Sequence, residues 1–102
     1  MTRIALIEIN LGNVSTPQEL HQLLMESLDF PHWYGRNRDA FWDAITGLVE
    51  MPETLRLLGW KKFSNTFPKD AMLMQKFLDK RKTFYSNETL NIEYDHPQTG
   101  TL

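Results

Sequence analysis

Asp39 and Asp43 stand four positions apart in a segment that also holds Trp33, Tyr34 and Trp42. If the segment is helical, a step of about 100° per residue puts both carboxylates on one stripe. Two carboxylates at that spacing suit acid–base catalysis. They suit binding equally well, because arginines in a basic cleft match a rigid pair of anions. They also suit a plain solvated helix start, where the macrodipole favours negative charge. The apolar residues Phe41, Ile45, Leu48 and Val49 fall on the other side of such a helix, so the pair faces water. An exposed carboxylate makes a poor acid at neutral pH. Two adjacent aromatics in a Gly-containing loop beside an acidic stripe are hard to bury together. Trp and Tyr are also common anchors of protein interfaces. Binding is therefore favoured over catalysis.

Other chemistry is thin. The chain has no Cys, which excludes a disulfide framework, a thiolate metal site and a Cys nucleophile. His21, His32 and His96 lie far apart, without ligand spacing, and the glycines form no phosphate loop. Ser15, Ser27, Ser64 and Ser86 sit in no nucleophile elbow. No metal and no cofactor is expected. Lys61-Lys62, Lys76 and Lys80-Arg81-Lys82 form a basic stretch that could touch nucleic acid. No aromatic platform is interleaved with them, and a basic helix end complementing the dipole is the simpler reading.

The elements that must position these residues follow from length and pattern. A chain of 102 residues is one domain. At 41% hydrophobic and 24% charged it is too ordinary for wholesale disorder. No apolar run approaches the roughly 20 residues of a membrane span. The N-terminal MTRIALIEIN has one Arg and a short apolar stretch broken by Glu8, which makes a poor signal peptide, so a cytoplasmic location is expected. Charge is uneven. Residues 26–53 carry six acids (Glu26, Asp29, Asp39, Asp43, Glu50, Glu53) against Arg36 and Arg38, whereas residues 54–82 are strongly basic. Such a split suits a charged partner, or two halves that simply attract each other.

Ile4–Ile9 is β-branched with little alternation and reads as a strand buried on both faces. Thr16, Pro17 and Glu19 form a helix start with a capping box, and Leu20, Leu23, Leu24 and Leu28 follow at helical spacing. The helix ends at Asp29-Phe30-Pro31. Residues 31–38 are a loop, and a second helix is expected over Asp39–Glu50, with Trp42 between its faces. Leu55–Trp60 reads as a strand and Lys61–Phe67 as a short helix or irregular link. A further helix from Pro68 to Lys82 is expected to turn Met72, Leu73, Phe77 and Leu78 inward. Leu90–Tyr94 alternates and reads as a last strand near an edge. Residues 1–94 then form the domain and 95–102 a loose polar tail. Strands alternating with helices predict an α/β layer fold with a small parallel sheet.

The run from Pro31 to Pro52 resembles the signature of the barstar family, the intracellular inhibitors of barnase-type ribonucleases. The family shows aromatic-Tyr-Gly-x-Asn-x-Asp-Ala-x-Trp-Asp-Ala-x-Thr-Gly. Here it reads Trp33-Tyr34-Gly35-Arg36-Asn37-Arg38-Asp39-Ala40-Phe41-Trp42-Asp43-Ala44-Ile45-Thr46-Gly47. The first strand, the Leu20-His21 step, Trp60 with Phe63 and the last strand fall in the order of that family, so the resemblance covers about residues 3–94.

The resemblance implies a barstar-like α/β fold, a small parallel three-stranded sheet packed with about four helices. It implies no enzyme but a ribonuclease inhibitor, the immunity protein of a bacterial RNase toxin. Trp33 corresponds to the loop aromatic that packs over the nuclease active site, where Tyr is more usual. Gly35 and Asn37 shape that loop. Asp39 matches the first inhibitory Asp, and Asp43 the central one that occupies the phosphate site. Trp42 matches the helix Trp beside it, Thr46 and Gly47 the end of the contact surface. Asp79 falls where the family has an acid on a later helix. Leu48 stands in place of a family Trp, and Arg36 and Arg38 add positive charge beside the acids. The implied partner is a cognate ribonuclease toxin in a one-to-one complex with a free monomer, without direct nucleic-acid or membrane binding. Two other classes stay open: a module of the same fold with a non-nuclease or nucleic-acid partner, and a small hydrolase using Asp39 and Asp43.

Overall fold

The computed structural model describes residues 3–95. Strands β1 (Leu6–Asn10), β2 (Thr54–Leu58) and β3 (Asn91–Tyr94) form one parallel sheet in the order β1-β2-β3. Helices α1 (Pro17–Leu28) and α2 (Arg38–Asp43) lie in the crossover from β1 to β2. Helices α3 (Trp60–Thr66) and α4 (Pro68–Phe84) lie in the crossover from β2 to β3. This is the three-stranded parallel α/β architecture with four helices that the sequence implies. Among the described residues no helix is long and apolar enough to cross a membrane.

The sheet is covered on one face only. Ile9, Leu55 and Leu57 are buried beneath the helices, and Ile7, Ile92 and Tyr94 pack against the same core. The alternate residues Leu6, Glu8, Asn10, Asn91 and Glu93 are exposed. This corrects the expectation that β1 is buried on both faces. Glu8 pairs with Arg56 opposite, and Arg56 with Glu93 on β3, both at 2.6 Å. Charges in one register row across three strands require water on that side, although parallel sheets are mostly covered twice.

The helix starts and stops follow local chemistry. Thr16 accepts the Glu19 amide at 3.0 Å, while the Glu19 carboxylate accepts the Ser15 amide at 2.7 Å. Asp29 turns left-handed (φ 60°) and ends α1. β2 stops earlier than the sequence suggests, at Leu58, because Gly59 also turns left-handed (φ 68°) and Trp60 already opens α3. A Cβ on Gly59 would lie 2.7 Å from the Gly12 nitrogen, so the loops after β1 and β2 touch backbone to backbone. In α4 the inward stripe is Ala71, Met74, Leu78 and Arg81, not the expected Met72, which is exposed. Leu73 and Phe77 sit on the flank of that stripe, half-buried. Of the expected tail, Asp95 is still tied to the sheet, its amide donating to Leu57 (2.9 Å) and its carbonyl accepting from Trp60 (3.2 Å). The rest of the tail lies outside the described residues.

Candidate partner-binding site

Helix α2 is short and is held from both ends. Asn37 caps it: Oδ1 accepts the Ala40 amide at 2.8 Å, and Nδ2 donates to the Gly35 carbonyl at 3.3 Å. One side chain thus ties loop to helix, the role Asn favours. Gly35 lets the loop run close to α2, since a Cβ there would stand 3.2 Å from the Ala40 Cβ, a tight contact. Arg36 is left-handed (φ 54°), which costs a non-glycine residue ~1–2 kcal/mol. Its guanidinium turns away from the acids and onto α1, donating to Gln22 Oε1 at 2.9 Å.

The two loop aromatics part company. Tyr34 is 3% exposed and packs on Phe30, ring centroids 4.8 Å apart. Its hydroxyl lies 2.6 Å from His21 Nδ1. Burial raises the Tyr34 pKa and lowers that of His21, so a hydrogen bond joins two neutral groups. Asp70 opposes the His21 shift and Arg36 adds to it. Trp33, in contrast, is 63% exposed. Tyr34 therefore anchors the loop and Trp33 is what the loop presents.

Beyond Asp43 the helix widens into a π segment, Ala44–Leu48, where the sequence predicts plain α-helix to Glu50. The Val49 amide reaches back five residues to Ala44 at 3.3 Å. Side chains bond carbonyls in and just before this segment. The Thr46 hydroxyl donates to Trp42 (2.7 Å), Arg81 Nε to Ile45 (2.7 Å) and the Tyr85 hydroxyl to Thr46 (2.9 Å). Gly47 faces open space. Such π turns concentrate at functional sites. Arg81, 3% exposed, also donates to Glu88 at 3.0 Å and lies over the Tyr85 ring.

Asp39 and Asp43 are exposed on the outer side of α2, opposite buried Phe41, Ala44 and Ile45. Trp42 and Thr46, both half-buried, flank them toward α4, and Gly35 and Asn37 flank them toward the loop. α4 braces this unit through Phe77, which lies 5.7 Å from the Trp42 ring and 6.5 Å from that of Phe41. The loop and helix thus bring Trp33, Gly35, Asn37, Asp39, Trp42, Asp43, Thr46 and Gly47 into one unit. Asp79 is exposed on α4, and the next residue, Lys80, has its Nζ 4.9 Å from the Trp42 ring centroid.

The sequence reading missed Arg81 and Tyr85. The signal was present: Ala71, Met74, Leu78 and Arg81 are spaced 3, 4 and 3, so the arginine falls on the buried stripe. Taking Lys80-Arg81-Lys82 as one basic patch hid this. The structure divides the run, with Lys80 on Trp42, Arg81 in the core and Lys82 in solvent. Among the described residues no three His, Asp or Glu gather as a metal site. The hollow between α1, α2 and α4, lined by His21, Arg38 and Asp70 among others, holds about 30 Å³, room for about one water.

The arrangement can therefore present charge and an aromatic to another macromolecule. Among known proteins, one of Bacillus subtilis (strain 168), named "Putative ribonuclease inhibitor YrdF", is 56% identical over 48 residues. That match spans 47% of this chain and 52% of the relative, about half of each. The family model described as "Barstar (barnase inhibitor)" matches residues 4–96, nearly the whole chain. The chain belongs to the barstar family.

Proposed function

We propose that this protein inhibits a ribonuclease by occupying its active site. The observation that carries the reading is the exposed Asp39–Asp43 ridge, set on a helix whose last turn is pinned by Arg81 and Tyr85. An enzyme that cleaves RNA needs a positive cleft for the phosphate. A carboxylate on a rigid support enters that cleft as a phosphate surrogate. Arginine binds it bidentately in a partly dry site. Asp43 is the surrogate and Asp39 its neighbour. Trp33 covers the base-binding surface, and Trp42, Thr46, Gly35, Asn37 and Gly47 shape the rim. Inhibition is competitive occlusion and needs no chemistry by the inhibitor. The biological role is immunity: a cytoplasmic monomer forms a one-to-one complex with a bacterial RNase toxin and protects the RNA of its own cell. The family's description and the relative's printed name both support the inhibition of a ribonuclease.

The test is co-expression with a candidate ribonuclease toxin, capture, and an RNase assay before and after denaturing separation. A latent RNase revives on separation and is silenced when the chain is added back. Asp43→Ala weakens that complex by at least ~2 kcal/mol, the scale of interface hot spots, itself drawn partly from the barnase–barstar complex. Asp43 is exposed, so the variant keeps the melting temperature of the wild type. A dissociation constant within twofold of wild type would show that Asp43 is not the surrogate. Direct RNA binding by the isolated chain would favour a nucleic-acid module instead.

A further inference from the structure

The basic flank of α4 continues the acidic ridge rather than belonging to a separate surface. Lys76, Lys80 and Phe84 follow at four-residue spacing, share one stripe of the helix, and are all exposed. Phe84 is 64% exposed. It meets Trp42 edge to face, with ring centroids 5.8 Å apart. Lys80 Nζ lies over both rings, 4.9 Å from Trp42 and 5.5 Å from Phe84. Two aromatic faces restrict the ammonium and remove part of its water. It is a placed charge, not a loosely solvated one. Trp42 precedes Asp43 in α2, so the clamp is built on the same short helix that carries the acids.

We propose that Lys80, clamped by Trp42 and Phe84, is a specificity-determining contact that takes a carboxylate at the rim of the ribonuclease's cleft. The inference rests on the ribonuclease reading above and adds to it the chemistry of the partner. A face with anions on α2 and a fixed cation beside them complements a basic cleft bordered by an acidic side chain. It rejects a cleft whose rim is positive throughout, since like charges brought together at an interface are strongly unfavourable. Phe84 supplies the apolar contact that dries the pair.

The probe is barnase, assayed by inhibition of RNA cleavage at low and at moderate ionic strength. The charge-reversed variant Lys80→Glu, with its side chain exposed in the fold, is expected to inhibit barnase at least about tenfold more tightly than wild type, with the gain shrinking as salt rises. Lys80→Gln falls between them. A Lys80→Glu variant no better than wild type overturns the inference, and so does a gain that salt does not diminish. Adding Asp43→Ala to Lys80→Glu separates the two readings. If it removes the gain, the cation acts at the rim of the site that Asp43 fills. If the gain survives, Lys80 acts elsewhere and the inference fails. Whether Asp43 is the surrogate is decided separately by the single Asp43→Ala variant against the captured RNase. Phe84→Ala, which removes an exposed ring, is expected to leave the melting temperature unchanged. In that background the gain from Lys80→Glu is expected to fall by more than half; an undiminished gain shows that the clamp plays no part.

Discussion

Replacing Arg81 with Met keeps the aliphatic stem and removes the guanidinium that holds the π segment. The Arg81 Nε–Ile45 bond is short, buried and charged, so its loss costs ~1.5–3 kcal/mol, chiefly by leaving a buried carbonyl without a donor. The pair with Glu88 adds less than ~1 kcal/mol, because that carboxylate is 44% exposed and stays solvated when its partner goes. One term runs the other way. Arg81 Nη1 is buried without a partner, and removing it recovers ~1 kcal/mol of desolvation. The net expectation is a loss of ~0.5–3 kcal/mol, and a central loss of ~2 kcal/mol lowers the melting temperature of a domain this size by about 8–16 °C. Calorimetry measures this. Amide exchange gives the local readout: the Val49 amide, bonded to Ala44, should exchange faster relative to the buried strand amides of β2. Arg81→Lys, which can reach one carbonyl but not fork to Glu88, falls between. A melting temperature lowered by less than about 2 °C would refute the assignment of Arg81 as the support of that segment.

Two further outcomes follow from the core. Gly59→Ala combines a left-handed φ of 68° with a Cβ 2.7 Å from the Gly12 nitrogen; urea unfolding should show at least ~2 kcal/mol lost, and an unchanged midpoint contradicts the close approach. His21 has a folded pKa held below its usual 6.5, first by burial. The unfolded chain therefore takes up its proton first as pH falls, and stability is full above about pH 6.5 and declines below it, toward the lowered folded value. His21→Gln should flatten that part of the melting-temperature profile, and an identical profile in the variant would assign the decline to other groups.

The candidate ridge was legible because its signals are local. The spacing of Asp39 and Asp43, the cap Asn37 and the closely packed Gly35 act within a few residues of one another. The same is true of Thr16, Pro17 and Glu19 at the start of α1. What could not be read depends on contacts distant in sequence. The open face of the sheet is set by Glu8, Arg56 and Glu93, whose neighbours are known only once the strands are paired. The π turn arises because Arg81 and Tyr85 compete for carbonyls more than thirty residues away in sequence (36 for Arg81 and Ile45, 39 for Tyr85 and Thr46). Lys80 reads as one member of a basic run, and only packing shows that it sits over Trp42.

The dependence of Thr46 and Ile45 on α4 also sets an order in time. During synthesis the acidic ridge leaves the ribosome some forty residues before Arg81 and Tyr85 do, and β3 comes later still. Until those residues have emerged, the carbonyls of the π turn have no donors and Trp42 has no Phe77 or Phe84 to lean on. A chain stopped between Gly47 and α4 carries every residue of the ridge without the donors that hold its last turn. Under the ribonuclease reading, protection therefore begins only with the finished polypeptide. A cell that makes toxin and inhibitor together must complete the inhibitor first or hold a store of it.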